Sequence, residues 1–255
     1  MLLNAKVFGE GNEKLIILHG LFGMLDNWQS LARKFSEHYQ VHTLDQRNHG
    51  HSFHADEHSY ELMAEDLKQY LDQHNISKIH LMGHSMGGKT AMLFACLYPE
   101  MVDKLIVIDI APKYYAPHHQ DIIKGLLDVH NSSISSRKEA DTILQKHFSN
   151  TGIRQFLLKN LHWKTKKDLT FRFNLEGLAK NINNVGVPLP EEMVFNQPTL
   201  FIDGEKSDYI QDEDEDLISE HFPDYEIMGV KDAGHWVHAE KPNDLLNMVL
   251  QFLIF

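Results

Sequence analysis

The sequence predicts an α/β fold with a mostly parallel sheet, flanked by helices and interrupted late by an all-helical insertion. Three observations carry this. Short, near-continuous apolar runs recur along the chain, as expected of parallel strands covered on both faces. Longer amphipathic segments alternate with them. The alternation breaks after Asp109 and resumes at Gln197.

The runs that read as strands are LIIL (15–18), VHTL (41–44), KIHLM (78–82), KLIVI (104–108) and TLFI (199–202). Segment 59–75, SYELMAEDLKQYLDQHN, sets Leu62, Met63, Leu67, Tyr70 and Leu71 on one helical stripe, with Ser59 placed to cap it. KTAMLFACLYPE follows KIHLM, and NDLLNMVLQFLIF comes last, both as further helices. Between Pro112 and Pro198, GLLDVHNSS, KEADTILQKHF, GIRQFLLKNLHW and FRFNLEGLAKNIN read as short helices with no strand between them. Residues 1–112 and 197–255 are therefore the expected core, and 113–196 the expected helical lid.

A chain of 255 residues suits one large domain or a domain with one insertion. Hydrophobic residues at 42% and charged residues at 24% give an ordinary soluble composition. The formal net charge of −12 repels phosphate backbones and anionic lipid, which argues against nucleic acid and membrane as partners. The one cysteine, Cys96, fits a reducing compartment. The first residues, MLLNAKVFGEGNEK, hold no apolar signal core, and no run reaches the roughly 18–20 apolar residues that span a bilayer. The expected location is the cytoplasm, as a monomer or small homo-oligomer. Among the 18 histidines, His54 with His58 and His118 with His119 come closest to metal spacing. Neither pair has a second pair at zinc-like distance, so they read as solvated loop histidines, with no metal and no cofactor expected.

The chemistry is concentrated in G-H-S-M-G, residues 83–87. It follows a strand and precedes a helix, the setting in which G-x-S-x-G presents a nucleophile. Ser85 would stand at the apex of a strained turn. Gly83 and Gly87 leave room for that turn, and the helix start favours developing negative charge. The strand LIIL runs into H-G-L-F-G, residues 19–23. Two backbone N–H groups are needed to hold the oxyanion of a tetrahedral intermediate. Met86 should supply one, and Leu21 the other, with Phe22 the alternative. Near the end, G-H-W-V-H-A-E-K-P (234–242) offers His235 as general base, with His238 its competitor.

These runs, with D-Q-R-N-H-G-H-S (45–52) and V-I-D-I-A-P (107–112) between them, resemble the α/β-hydrolase family in content and order. More narrowly, they are similar to the YbfF-like group of small bacterial esterases and thioesterases. The likeness spans residues 1–112 and 197–255, and the lid adds little. It implies an α/β-hydrolase fold, ester or thioester hydrolysis without a metal, and the chain order Ser, acid, His. It also implies a structural role for the 45–52 run, so Arg47 and His49 are assigned no chemistry.

The acid is the open question. In most α/β hydrolases it stands three residues after a glycine that follows the strand beyond the lid. Here Gly204 plus three is Ser207, and Asp208 lies one residue on. A one-residue step in extended chain turns the side chain to the other side. Asp109 is the other candidate, at the C-terminal edge of KLIVI, where catalytic groups gather in α/β sheets. The resemblance favours Asp109, with Asp208 as alternative and Ser207 as a possible hydrogen-bonding helper.

Phe22, Trp28, Trp163 and Trp236 are candidates to line an acyl pocket. In the lid, Arg154, Lys159, Lys164, Lys166, Lys167 and Arg172 form a local basic excess. It reads either as a solvated face or as a clamp for the phosphates of an acyl-coenzyme A at the pocket mouth. The acidic run 212–216, D-E-D-E-D, reads as a solvated helix start. The expected activity is serine carboxylesterase or acyl-CoA thioesterase, acting on small to medium acyl groups. Two alternatives use the same scaffold: a carbon–carbon bond hydrolase or pyruvate-eliminating synthase, and a ligand-binding or signalling protein that retains the fold.

Overall fold

The computed structural model describes residues 1–116, 119–165 and 168–254. In chain order, β1 (Ala5–Phe8) and β2 (Lys14–Leu18) precede α1 (Gln29–Phe35) and β3 (Gln40–Leu44). Then come α2 (Tyr60–Gln73), β4 (Ile79–His84), α3 (Met86–Leu97) and β5 (Val102–Ile108). The chain next leaves the sheet for α4 (Gln120–His130), α5 (Arg137–Leu144), α6 (Thr151–Leu158), β6 (Leu161–Thr165), β7 (Asp168–Phe171), α7 (Leu175–Lys180) and α8 (Ile182–Val185). It returns through β8 (Thr199–Gly204), α9 (Glu215–His221), β9 (Tyr225–Val230), α10 (Val237–Glu240) and α11 (Pro242–Ile254).

The main sheet has the order β1-β3-β2-β4-β5-β8-β9. Only β1 runs antiparallel to its neighbour. All five strands expected from the apolar runs are present. The edge strands β1 and β9 were not expected. Their sequences, AKVF and YEIMGV, are mostly exposed or half-buried and lack the long apolar run of a strand covered on both faces.

Alternate residues of the inner strands face opposite layers. Leu15, Ile17, Met82, Ile106 and Ile202 pack with Leu31 and Phe35 of α1 and Leu245 and Val249 of α11. Ile16, Leu18, Leu81, Val107 and Phe201 pack with α2, α3 and the inserted segment. Each such fully buried side chain stabilises the fold by roughly 1.5–3 kcal/mol. On α2 the expected stripe is turned inward through Met63, Leu67, Tyr70 and Leu71, while Leu62 stays half-buried. Ser59 caps this helix by accepting the Leu62 N–H. α3 is buried on all sides through its first ten residues, as befits a helix between sheet and insertion.

The insertion is not all-helical. β6 and β7 form an antiparallel hairpin across LHWKT and the following DLTF. A helical reading of GIRQFLLKNLHW fails because α6 ends at Leu158 and the chain then extends. Phe171 and Phe173 stack, with ring centroids 4.9 Å apart, and Phe173 also meets Phe22, so the aromatic residues of FRF anchor strand and loop rather than a helix. Lys166, Lys167, His118 and Phe255 lie outside the described residues.

Two further expectations change. His58 is buried, in ring contact with His49, not solvated, whereas His54 is exposed and donates to the Arg172 carbonyl. Asp214, inside the acidic run, is buried and paired with Lys113 at 2.6 Å. That pair ties the start of the insertion to the segment between β8 and α9, which local sequence does not reveal. Among the described residues, no helix is long and apolar enough to cross a membrane.

Candidate active site

Every expected chemical group sits on the loops that leave the C-terminal edge of the sheet. β4 is the middle strand, and Ser85 follows it directly. Its backbone lies at φ 53° and ψ −119°, a conformation that costs a non-glycine residue about 1–3 kcal/mol. The surroundings enforce it. Ser85 N–H donates to Ile108 O at 2.9 Å, and α3 begins at the next residue. A Cβ on Gly83 would lie 2.1 Å from Gly87 O, and one on Gly87 would lie 2.5 Å from Leu18 O. The elbow is therefore closed to larger residues on both sides of the serine.

His235 reaches the serine from the loop between β9 and α10. Its Nε2 stands 3.1 Å from Ser85 Oγ, and its Nδ1 stands 2.6 Å from Asp109 Oδ2. Nδ1–H donating to the carboxylate leaves Nε2 to accept the serine proton, the tautomer a general base requires. The Tyr209 ring stacks on the imidazole at 4.0 Å and 18°, and His84 Nε2–H donates to the His235 carbonyl at 2.8 Å. The ring is held by its edge, its face and its own backbone.

Asp109 is fully buried and also has a positive φ, 52°. Its Oδ1 accepts the Gly204 N–H at 3.0 Å, and its Oδ2 accepts Ser207 Oγ–H at 2.6 Å as well as the His235 N–H. The geometry brings Asp109 to the histidine and seats Ser207 on the same oxygen. Asp208 is exposed, and the alternative acid does not meet His235.

The oxyanion loop is held from three directions. The Phe22 N–H donates to His49 Nε2 at 3.1 Å and is thereby engaged. Leu21 borders the cavity beside Ser85, and the Met86 N–H opens α3, where helix geometry offers it no carbonyl partner. The Phe22 carbonyl accepts from Asn160 Nδ2 at 2.7 Å. The Gln46 N–H donates to His19 Nε2 at 3.0 Å, so His19 Nδ1 donates to Gly20 O at 2.9 Å. The 45–52 run is structural here, though His49 acts on the oxyanion loop directly. Arg47 pairs in bidentate fashion with buried Asp66, at 2.6 and 2.8 Å.

The histidines around His235 are kept neutral. Burial, reinforced by the neighbouring His235, holds His84 well below the ordinary histidine value. Burial brings His238 down to about 3, and it stacks on Trp28 at 4.5 Å. His238, the competing candidate, is buried against Trp28 and His84, while His235 is the ring bonded to Ser85. Burial also lowers His49 well below its usual range and lowers His19.

A cavity of about 330 Å³ opens beside Ser85, walled by Phe22, Trp28, Ile153, Phe156, Leu157 and Trp236 among others. Trp163 is not in it. That residue is 52% exposed on the hairpin and borders a separate groove. The basic excess is dispersed too. Arg154 is buried against Asp141 at 2.7 Å, Arg172 donates to His51, and neither they nor Lys159 and Lys164 wall the cavity. Tyr209, His84 and Asn160 were not anticipated. Tyr209 lies two residues beyond Ser207 and His84 just before Ser85, so proximity to the motifs was a usable signal for both. Nothing in the sequence marks Asn160.

A family model described as alpha/beta hydrolase fold matches residues 14–149. Esterase YbfF of Escherichia coli is 36% identical over 243 residues, 95% of this chain and 93% of its own. The sn-1-specific diacylglycerol lipase ABHD11 of Mus musculus is 38% identical over 247 residues, 94% of this chain and 80% of its own. A solved structure titled marine microorganism esterase superposes with TM-score 0.95 and 43% identity, covering 98% of this chain and 99% of that one. With the elbow serine, the sheet order and these relatives agreeing, the chain belongs to the α/β-hydrolase family, in the group that includes esterase YbfF.

Proposed function

We propose that the protein is a serine hydrolase of carboxylic esters that works through an acyl-enzyme. The observation that carries this is the hydrogen-bonded line Ser85–His235–Asp109 ending beside a cavity of about 330 Å³. His235 takes the Ser85 proton as Oγ attacks the ester carbonyl. The Leu21 and Met86 N–H groups receive the oxyanion, and Asp109 balances the imidazolium. His235 then returns the proton to the departing alcohol. Water enters the vacated place, gives a proton to His235 and attacks the acyl carbon; the bond to Ser85 Oγ then breaks, His235 passes that proton to Oγ, and the acid leaves. The relatives named for esterase and lipase activity support the same reading.

Thioesters undergo the same displacement, and acyl-CoA hydrolysis belongs to the proposal. Among the described residues, the lysine and arginine side chains of the insertion do not wall this cavity. The described wall residues include no lysine or arginine to hold a dicarboxylate, which weighs against the carbon–carbon hydrolase and synthase readings. Cytoplasmic residence is part of the proposal. The thiol of Cys96, the sole cysteine, is pushed up to about 12 by burial and is poorly reactive.

Steady-state hydrolysis of a p-nitrophenyl ester and of matched acyl-CoA, with Ser85→Ala as control, tests it. Turnover that falls by about 10⁴ or more in the variant supports the reading. Wild-type protein that cleaves neither, yet retains a bound ligand, would favour the receptor alternative.

A further inference from the structure

Ser85 lies between two chambers of very different size. The large one, about 330 Å³, contains His235, Trp236 and the aromatic wall described above. The small one, about 20 Å³, is bounded by Met86, Ile110, Tyr60, Tyr115, Ile182 and Val185, and His235 is not part of it. Ser85 and Leu21 border both.

The stereochemistry of acyl transfer then sorts the substrate. The tetrahedral carbon carries Ser85 Oγ, the oxyanion, the leaving oxygen and the acyl chain. The oxyanion is directed at the N–H groups of Leu21 and Met86. The leaving oxygen must lie within reach of the proton on His235 Nε2. The alcohol therefore occupies the chamber that contains His235, and the acyl chain points into the one that does not. At about 20 Å³ against about 330 Å³ for its neighbour, the small chamber suits only a short acyl chain. Its far wall is braced, because Tyr60 Oη–H donates to Val185 O at 2.6 Å and joins α2 to α8. The large chamber is at the lower end of small-molecule sites, roughly 300–1,000 Å³, and is mostly apolar.

Resting on the ester-hydrolase reading, we infer that the preferred substrates are acetyl or propionyl esters of a bulky, apolar alcohol. Val185 and Ile182 set the acyl limit, and Phe156 and Trp236 contact the alcohol. Chemically, the bond between acyl carbon and alkoxy oxygen breaks, one water is consumed, and a short carboxylic acid and the intact alcohol are released.

Two ester series separate the chambers. One varies the acyl chain from acetate to octanoate on 1-naphthol. The other varies the alcohol from methyl to 1-naphthyl on acetate. The expected result is a kcat/KM that falls about tenfold or more between propionate and hexanoate, and that holds or rises as the alcohol grows. Val185→Ala should raise hexanoate relative to acetate about tenfold, with the alcohol series unchanged. Phe156→Ala should alter only the alcohol series. Hydrolysis that favours octanoate and ignores alcohol size would overturn the chamber assignment and leave the esterase reading standing. Failure to hydrolyse either series would overturn both.

Discussion

The loop after β5 and the loop after β8 stand side by side at the sheet edge and meet on one carboxylate, yet they supply opposite things. The β5 loop supplies the charge. Asp109 is fully buried, at positive φ, with its N–H bonded to Ile202 O at 2.8 Å. The β8 loop supplies donors, the Gly204 N–H and the Ser207 hydroxyl, and turns its own acid, Asp208, to solvent. Tyr115 Oη joins them, accepting the Ala111 N–H at 2.9 Å and donating to the Tyr209 carbonyl. The difference teaches that a slot and its chemistry are separable. Ser207 occupies the place expected of the acid, while the charge arrives from the neighbouring strand.

The largest effect should come from removing that charge. Asp109→Asn should lower kcat by about 10³–10⁴, because an amide no longer enforces the Nδ1–H tautomer or balances the imidazolium. A loss under tenfold would break the assignment. The two loops can then be exchanged. Asp109→Asn combined with Ser207→Asp should recover about 10–100-fold over Asp109→Asn alone, since Ser207 Oγ already lies 2.6 Å from Asp109 Oδ2. No recovery, in a variant of native circular dichroism, would mean the β8 loop cannot orient His235.

Ser207→Ala removes one hydrogen bond to a buried charge, worth about 1.5–3 kcal/mol, and should lower kcat roughly 10–100-fold while the KM hardly moves. A KM change without a kcat change would place Ser207 against substrate instead. At the other end of the scale, Asp208→Asn should leave kcat/KM within about twofold, as expected of an exposed charge. A larger loss would return Asp208 to candidacy as the acid.

The buried histidines outside these loops should show themselves in acid. Burial holds His42 and His58 down to about 4 and His238 down to about 3. An unfolded histidine titrates near about 6.5. Between these values the unfolded chain binds protons that the native protein refuses. Stability therefore rises with pH through this window and is lost as pH falls from about 6.5 towards 4. The thermal midpoint at pH 5 should lie several degrees below that at pH 7.5. A flat profile would mean these rings are charged in the native state.

Much of this was written locally. The apolar runs determined five strands of the sheet, because a strand covered on both faces must be apolar throughout. The elbow marked Ser85, because Gly83 and Gly87 are the residues that a turn this tight admits. The glycine before His235 and the H-G after β2 marked the base and the oxyanion loop for similar reasons of local backbone geometry. What the sequence left open required distance in space. Leu21 was separated from Phe22 by His49, 27 residues further along the chain. Asp109 was set apart from Asp208 by its hydrogen bond to His235, 126 residues further along the chain. The hairpin in the insertion, the ring of Tyr209 over His235 and the two unequal chambers came from packing between segments far apart in the chain. A local pattern specifies what a residue can do, whereas the fold decides which groups are brought within 3 Å of one another.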